Sequence, residues 1–290
     1  MNILLTNDDG IMGEGFLEFA DTLHTRTSHT VCVLVPVENR SGISNALTKY
    51  PNKVSIQPYS KDTWICSGTP ADCVKIAILG GLPENEGQKS QAFVPDLVIS
   101  GINASSNLGT DLIWSGTASA ARQAAIYKIP GIAISLVDTN EPYYWAQAFD
   151  YVITHLEEFV NLWNKDIFLN INIPNTASGP RGTKITFPSY RWYNRILTPC
   201  QNDQPEGSLT YMDICTSIET EIETGSDHEA ISQNYVSISP VFLYPVVQRE
   251  SCSGAPAHAS TGSRPLPRQQ HLFIKLAPDE EKDASKETCK

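Results

Sequence analysis

From its first residues the chain alternates short apolar runs with longer stretches whose apolar residues recur every three or four positions. Ile3-Leu4-Leu5 and Val31-Cys32-Val33-Leu34-Val35 contain no polar interruption. They read as strands covered on both faces. Between them, Glu14 to Leu23 carries Phe16, Ala20 and Leu23 on one helical face. Thr69-Pro70 predicts a helix start, with Thr69 at the N-cap and Pro70 where a missing N–H costs nothing. Val74, Ala77 and Ile78 then form the inner face of that helix. Asp96 to Ile102 reads as a third strand, Thr117 to Tyr127 as an alanine-rich helix slim enough to lie close on a sheet, and Gly131 to Leu136 as a fourth strand. Tyr143 to Trp163 reads as a long amphipathic helix, and Phe168 to Ile173 closes the series. Strands and helices in this alternation build a parallel α/β sheet.

After Pro174 the rhythm changes. Pro, Gly, Asn and Thr increase, and the apolar runs shorten. Lys184-Ile185-Thr186-Phe187 and Tyr235-Val236-Ser237-Ile238 read as strands joined by long loops. The composition predicts a β-rich extension over 175–247 on a core of 1–174, both within one domain of 1–247. The Ser-, Pro- and Lys-rich stretch 248–290 reads as a poorly ordered tail, in which His271-Leu272-Phe273-Ile274 is apolar enough to dock.

Composition narrows the function. With 41% hydrophobic residues in 290, there is material for a sizeable core. No apolar run approaches the roughly 20 residues of a membrane helix. The N-terminus lacks a basic region followed by an apolar stretch, so no signal peptide is expected. A net charge of −11 repels polyanions, so neither a nucleic-acid nor a membrane partner is expected. A small phosphorylated substrate is compatible with that charge if a local cation cancels the field. The seven cysteines are scattered without a C-x-x-C pair, which suits reduced thiols in a cytoplasm.

Four polar clusters then stand out, three of them directly after predicted strands. Ligands of open parallel sheets bind beyond the carboxyl ends of the strands, so this position is informative. The first cluster is Thr6-Asn7-Asp8-Asp9-Gly10. Two adjacent carboxylates at about 4 Å and an effective dielectric of about 20 repel by about 4 kcal/mol. A hard divalent cation removes that cost. Taken alone, the same run describes a solvated Asx turn. The second is Asn39-Arg40-Ser41-Gly42, where Ser41 offers a hydroxyl ligand and Arg40 a phosphate contact. The third runs from Ser100-Gly101-Ile102-Asn103 to Asn107-Leu108-Gly109, and Asn103 brings a neutral carbonyl oxygen. It leads into Trp114-Ser115-Gly116-Thr117, where hydroxyls, free N–H groups and the positive end of a helix dipole form an anion site. Plain N-capping by Ser115 or Thr117 is the competing reading. Gly68-Thr69-Pro70-Ala71-Asp72 is the fourth cluster, and it fits a reciprocal cap between Thr69 and Asp72.

Other chemistries lack their motifs. There is no G-x-x-x-x-G-K-S/T loop, no G-x-G-x-x-G after a strand, no G-x-S-x-G elbow and no H-E-x-x-H. The six histidines are dispersed, and only His228, beside Asp227, keeps a functional reading.

Taken in order, the clusters resemble the SurE (survival protein E) family of 5′/3′-nucleotidases. The matching blocks are I-L-L-T-N-D-D-G at Ile3 to Gly10, N-R-S-G at Asn39 to Gly42 and G-T-P-A-D-C-V at Gly68 to Val74. They continue with P-D-L-V-I-S-G-I-N at Pro95 to Asn103, N-L-G at Asn107 to Gly109 and S-G-T-A at Ser115 to Ala118. L-N-I-N-I-P at Leu169 to Pro174 and Y-V-S-I-S-P at Tyr235 to Pro240 are similar to later blocks. The resemblance implies a Rossmann-like, mostly parallel α/β sheet flanked by helices, with a C-terminal β-hairpin extension that assembles homodimers or homotetramers. It implies one divalent cation, Mg2+ or Mn2+, on Asp8, Asp9, Ser41 and Asn103. It implies substrate phosphate near Asn107, Ser115, Gly116 and Thr117, a neighbourhood to which Asn7, Arg40 and Gly42 also belong. The implied activity is hydrolysis of nucleoside 5′- and 3′-monophosphates, with short-chain polyphosphate cleavage as a side activity.

Some positions depart from the family pattern. Ile11-Met12-Gly13-Glu14-Gly15 stands where members often carry Ala-Pro-Gly, Asn234 where glycine is common, and 199–222 matches weakly. Two catalytic routes stay open, with Asp8 and Asp9 as the catalytic pair: attack by water at the cation, or attack by the Asp8 carboxylate. A non-catalytic nucleotide-binding or assembly protein that retained the pocket is the alternative class.

Overall fold

A computed structural model describes residues 1–49, 51–82, 93–137, 142–200 and 210–244. The tail expected over 248–290, with its His271 to Ile274 stretch, lies outside the described residues. The elements, in chain order, are β1 (Asn2–Thr6), α1 (Phe16–Arg26), β2 (Thr30–Pro36), β3 (Ile56–Ser60), β4 (Thr63–Cys66), α2 (Pro70–Leu79) and β5 (Leu97–Asn103). A 3-10 turn (Gly109–Ile113) leads to α3 (Gly116–Ile126), β6 (Gly131–Val137), α4 (Trp145–Leu162), β7 (Ile167–Pro174) and β8 (Thr183–Ile185). β9 (Tyr190–Cys200), β10 (Thr210–Glu221), α5 (Asp227–Ser232) and β11 (Val236–Phe242) complete the described chain.

One nine-stranded sheet has the order β3-β4-β2-β1-β5-β6-β7-β11-β8. From β4 to β7 every pairing is parallel, while β3 runs antiparallel to β4, and β11 runs antiparallel to β7 and parallel to β8. The uninterrupted apolar strands are explained by two covered faces. Ile3 and Leu5, Val31, Val33 and Val35, and Leu97 and Ile99 pack with residues of α1 and α4. Leu4, Cys32, Leu34 and Val98, on the opposite face of the same strands, pack with residues of α2 and α3. The buried side of α3 is mostly small residues, five of them alanine, which lets it lie close on the sheet.

The long loops expected between 187 and 235 are instead mostly regular structure. β9 and β10 pair antiparallel as a separate two-stranded ribbon, and α5 follows. The period-2 signal was hidden because apolar residues appear on both faces of this ribbon: Trp192, Ile196, Leu197, Tyr211, Met212 and Ile214 are all exposed. β8 and β11 join the main sheet rather than the ribbon. The edge pair β3 and β4 was also absent from the sequence reading, since β3 is mostly exposed and contains Pro58. Asn234 adopts a left-handed φ of 62°, which explains why glycine suits that position.

The reciprocal cap forms as expected. Thr69 Oγ1 accepts from the Asp72 N–H, and the Asp72 carboxylate accepts from the Thr69 N–H at 3.2 Å. Asp72 also accepts from the Thr48 N–H and hydroxyl and from Lys75 Nζ, so one fully buried carboxylate pins loop 41–49 to α2. Burial alone would raise its pKa, but the bonds from Thr48, Lys75 and the Thr69 N–H outweigh it and hold the pKa below the ordinary carboxylate value. A pKa lowered in the folded state adds stability that is present above the unfolded pKa and is lost as pH falls through the folded one. Asp72→Asn should therefore cost about 2 kcal/mol near neutral pH. The gap from the parent should close in acid, which denaturant unfolding at a series of pH values checks. A pH-independent gap would contradict this assignment.

Candidate active site

The strand order reverses between β1 and β5. After β1 the chain builds outward through β2 and β4, then returns to the other side of β1 for β5, β6 and β7. Loops leaving β1 and β5 must diverge there, and the crevice between them is where such sheets bind ligands. Asp8 and Asp9 follow β1, and Asn103 is the last residue of β5.

The turn after β1 is set by Asn7. Its Nδ2 donates to the Gly10 carbonyl at 2.8 Å, and its Oδ1 accepts from the Gly10 N–H at 3.0 Å. Asn7, expected beside substrate, uses both polar atoms of its side chain to shape this turn. Asp8 is 4% exposed and points at the start of α3. Thr117 Oγ1 donates to Asp8 Oδ1 at 2.6 Å. The approach is so close that a Cβ on Gly116 would sit 2.6 Å from the Asp8 Cβ and 2.7 Å from Oδ2. Only glycine fits between helix and carboxylate. Burial is the main cause that raises the Asp8 pKa, the Thr117 hydroxyl works against it, and the charge of Asp9 adds to the rise.

Asp9 is half-buried. Asn39 Nδ2 donates to its Oδ1 at 3.1 Å, and Ser41 Oγ lies 3.4 Å from the same oxygen. Its pKa is also raised, chiefly by burial, with Ser41 and Asn39 opposing. The loop carrying these residues is stitched down by the Arg40 N–H, which donates to the Asp8 carbonyl at 2.6 Å, and by Asn39 Oδ1, which accepts from the Ser41 N–H at 2.8 Å. The Arg40 side chain reaches Glu38 at 3.3 Å and the Ser67 carbonyl. Gly42 has open space where a side chain would be.

Asn103 donates through Nδ2 to the Ser105 carbonyl at 2.8 Å and to the Ser105 hydroxyl at 3.1 Å. Its Oδ1 accepts from no described residue. No hydrogen bond among the described residues joins it to the acidic pair. Two adjacent carboxylates with a serine hydroxyl beside them, and an amide oxygen at the end of the neighbouring strand, are oxygen donors of the kind that hard divalent cations prefer. Among the described residues no three His, Cys, Asp or Glu side chains cluster as a metal centre, so the arrangement differs from a Cys/His zinc site. The donors therefore fit a hard cation.

Ser115 caps α3, its hydroxyl accepting from the Ala118 N–H at 3.0 Å while its own proton stays free to donate. Asn107 is held by a buried polar layer that sequence reasoning missed. Its carbonyl accepts from Asn170 Nδ2 at 2.9 Å and Asn172 Nδ2 at 3.1 Å, and its N–H donates to Asn172 Oδ1 at 2.9 Å. Asn107 Nδ2 donates to the Ser135 hydroxyl at 2.8 Å. The signal in the sequence was Asn170 and Asn172 alternating within an apolar strand that ought to carry no polar groups. Asp227 belongs to the same support: its carboxylate, fully buried, accepts from the N–H groups of Gly109, Ser189 and His228. His228 gives its backbone N–H to this arrangement, while its Nδ1 is buried with no hydrogen-bond partner among the described residues. Among the Ile11 to Gly15 departures, Glu14 accepts from Trp145 Nε1, and a Cβ on Gly15 would strike the Trp145 ring at 2.7 Å.

Fold and site together define a Rossmann-like α/β protein with an acidic oxygen-donor turn at its strand-order reversal. The family described as Survival protein SurE matches residues 3–195, and this chain belongs to that family. It is 37% identical to a protein named 5′-nucleotidase SurE from Thermosipho melanesiensis over 250 residues, covering 84% of this chain and 92% of that one. It is 35% identical over 259 residues to the protein of the same name from Natranaerobius thermophilus, covering 83% and 92%. The crystal structure of a SurE protein from Aquifex aeolicus superposes with a TM-score of 0.67 at 29% identity, covering 87% of this chain and 97% of that one.

The contact between Gly116 and Asp8 makes a direct prediction. Gly116→Ala should destabilise the fold by about 1–3 kcal/mol, the range for overpacking a site with no room to relax. Alanine is otherwise the better helix residue by about 1 kcal/mol, so a thermal melt that rises in this variant would contradict the packing described.

Proposed function

We propose that this chain is a divalent-metal-dependent phosphatase that removes phosphate from nucleoside 5′- and 3′-monophosphates and cleaves short-chain polyphosphate as a side activity. The observation that carries the reading is the seating of Asp8. It is a buried carboxylate fixed by the Thr117 hydroxyl under a helix start, beside a second carboxylate in contact with a serine. The names of the relatives supply the substrate class.

In this reading Asp8, Asp9, Ser41 and Asn103 hold one Mg2+ or Mn2+ ion. When bound, the cation neutralises the paired carboxylates and the charge of the substrate phosphate. The chain's own residues do the rest. Thr117 orients Asp8 by holding Oδ1. Gly116 lets the helix start approach, so that backbone dipoles favour an anion there. The Ser115 hydroxyl and the second N–H of the Asn107 amide, whose first is held by Ser135, donate to phosphate oxygens. Arg40 adds positive potential at the rim. In this reading the Asp8 carboxylate either orients attacking water or attacks phosphorus itself. Free thiols at Cys32, Cys66, Cys73, Cys200 and Cys215 suit work in the reducing cytoplasm. No helix among the described residues is long and apolar enough to cross a membrane.

The test is phosphate release from AMP, GMP, CMP, 3′-AMP and short polyphosphate with Mg2+ or Mn2+. Asp8→Asn should reduce turnover by about a thousandfold or more while leaving the melting profile folded. EDTA should stop the parent protein, and added cation should restore it. Full turnover in excess EDTA would remove the metal from the account. Nucleotide binding without release would favour the non-catalytic alternative.

The ribbon supports a homo-oligomer. Trp192, Ile196, Leu197, Tyr211, Met212 and Ile214 place large apolar surface in water, a pattern that marks an interaction site. Replacing Ile196 and Ile214, which face each other in register, with lysine should convert a dimer or tetramer to a smaller species. Analytical ultracentrifugation reads this directly. A parent protein that sediments as a monomer would contradict it.

A further inference from the structure

Trp114 is an exposed aromatic residue that neither the core nor the proposed phosphate chemistry uses. It is 47% exposed. Its backbone is fixed between the two halves of the site. The Trp114 carbonyl accepts from the Ser44 N–H at 2.9 Å, three residues beyond Ser41, and the Ser44 hydroxyl donates to the Ile113 carbonyl at 2.7 Å. On the other side Trp114 directly precedes Ser115 and the Gly116 that packs on Asp8. The Trp114 backbone therefore lies between the loop that carries Ser41 and the start of α3 that packs on Asp8.

Its ring is braced. Tyr193 of β9 meets it in a T-shaped contact, with centroids 5.9 Å apart and planes at 84°. The Tyr193 hydroxyl donates to Asp111, and Arg191 pairs with the other oxygen of the same carboxylate. The Arg191 N–H also donates to Thr110 Oγ1 at 2.9 Å. An exposed indole braced in this way loses little freedom when a flat ligand stacks on it.

We infer that Trp114, braced by Tyr193, is the stacking platform for the nucleobase of the substrate, and so a specificity-determining residue of this site. This rests on the nucleotidase reading above and adds the means by which a nucleotide is preferred to a simple phosphate ester. Stacking tolerates any base, because every base has a π-face. The platform thus selects nucleosides as a class rather than one base.

The experiment compares kcat/KM for AMP with kcat/KM for glycerol 2-phosphate, which has no base. In Trp114→Ala the ratio should fall about tenfold, mainly through KM for AMP, as expected for the loss of one stacked base. Trp114→Phe should recover most of it. A readout independent of turnover and of any folding defect uses the parent protein and Trp114→Phe with a non-hydrolysable methylenephosphonate analogue of AMP. The analogue should quench indole fluorescence in the parent, ribose 5-phosphate should not, and the quench should vanish in Trp114→Phe. An unchanged substrate ratio in Trp114→Ala, or a quench that persists in Trp114→Phe, would overturn the assignment. A parent protein that releases phosphate from neither substrate would instead overturn the nucleotidase reading.

Discussion

Between β1 and β5 the chain reverses the direction in which it lays down strands, and the loops on either side must part. Every feature of the site follows from that parting. It opens a crevice at the carboxyl edge of a sheet whose two faces are sealed by helices. It brings an acidic turn from one strand alongside an asparagine from the next. It also aims the start of α3 at the same place, and the absent side chain of Gly116 lets the helix close on Asp8. The hydrogen bond from Thr117 to Asp8 locks this approach.

The electrostatic consequence is a site under tension. Asp8 and Asp9 are both pushed towards their protonated forms, chiefly by loss of solvent, and for Asp8 the neighbouring charge adds to this. Hydroxyl and amide donors from Thr117, Ser41 and Asn39 offset only part of the cost. Asp72 shows the contrast. It is fully buried, yet its bonds hold its pKa below the ordinary carboxylate value, so it acts as a structural pin. In the proposed reading a bound cation would meet the cost left at Asp8 and Asp9, whereas the full set of donors around Asp72 makes it a cap.

Most of the core was legible in the sequence because its physics is local. Uninterrupted apolar runs such as Val31 to Val35 signal strands covered twice, and Thr69-Pro70 with Asp72 spells out its own cap. The polar clusters were legible because they follow strands. What sequence reading missed depends on contacts far apart in the chain. The support of Asn107 by Asn170 and Asn172 spans more than 60 positions, and that of Gly109 by Asp227 spans 118. The β9 and β10 ribbon escaped for a different reason. Its exposed apolar residues lie on both faces, so the alternation that marks a half-buried strand is absent. Asn7 was assigned to substrate from its position, but local turn geometry claims its side chain.

The central claim is that one cation is gathered by residues from three separate loops. Anomalous scattering from crystals soaked in Mn2+ tests it most directly. A single strong peak coordinated by Asp8, Asp9 and the side-chain oxygen of Asn103, with Ser41 in the immediate shell, is the predicted result. A peak held elsewhere on the protein, or a saturated crystal with no peak in the crevice between β1 and β5, would contradict the account.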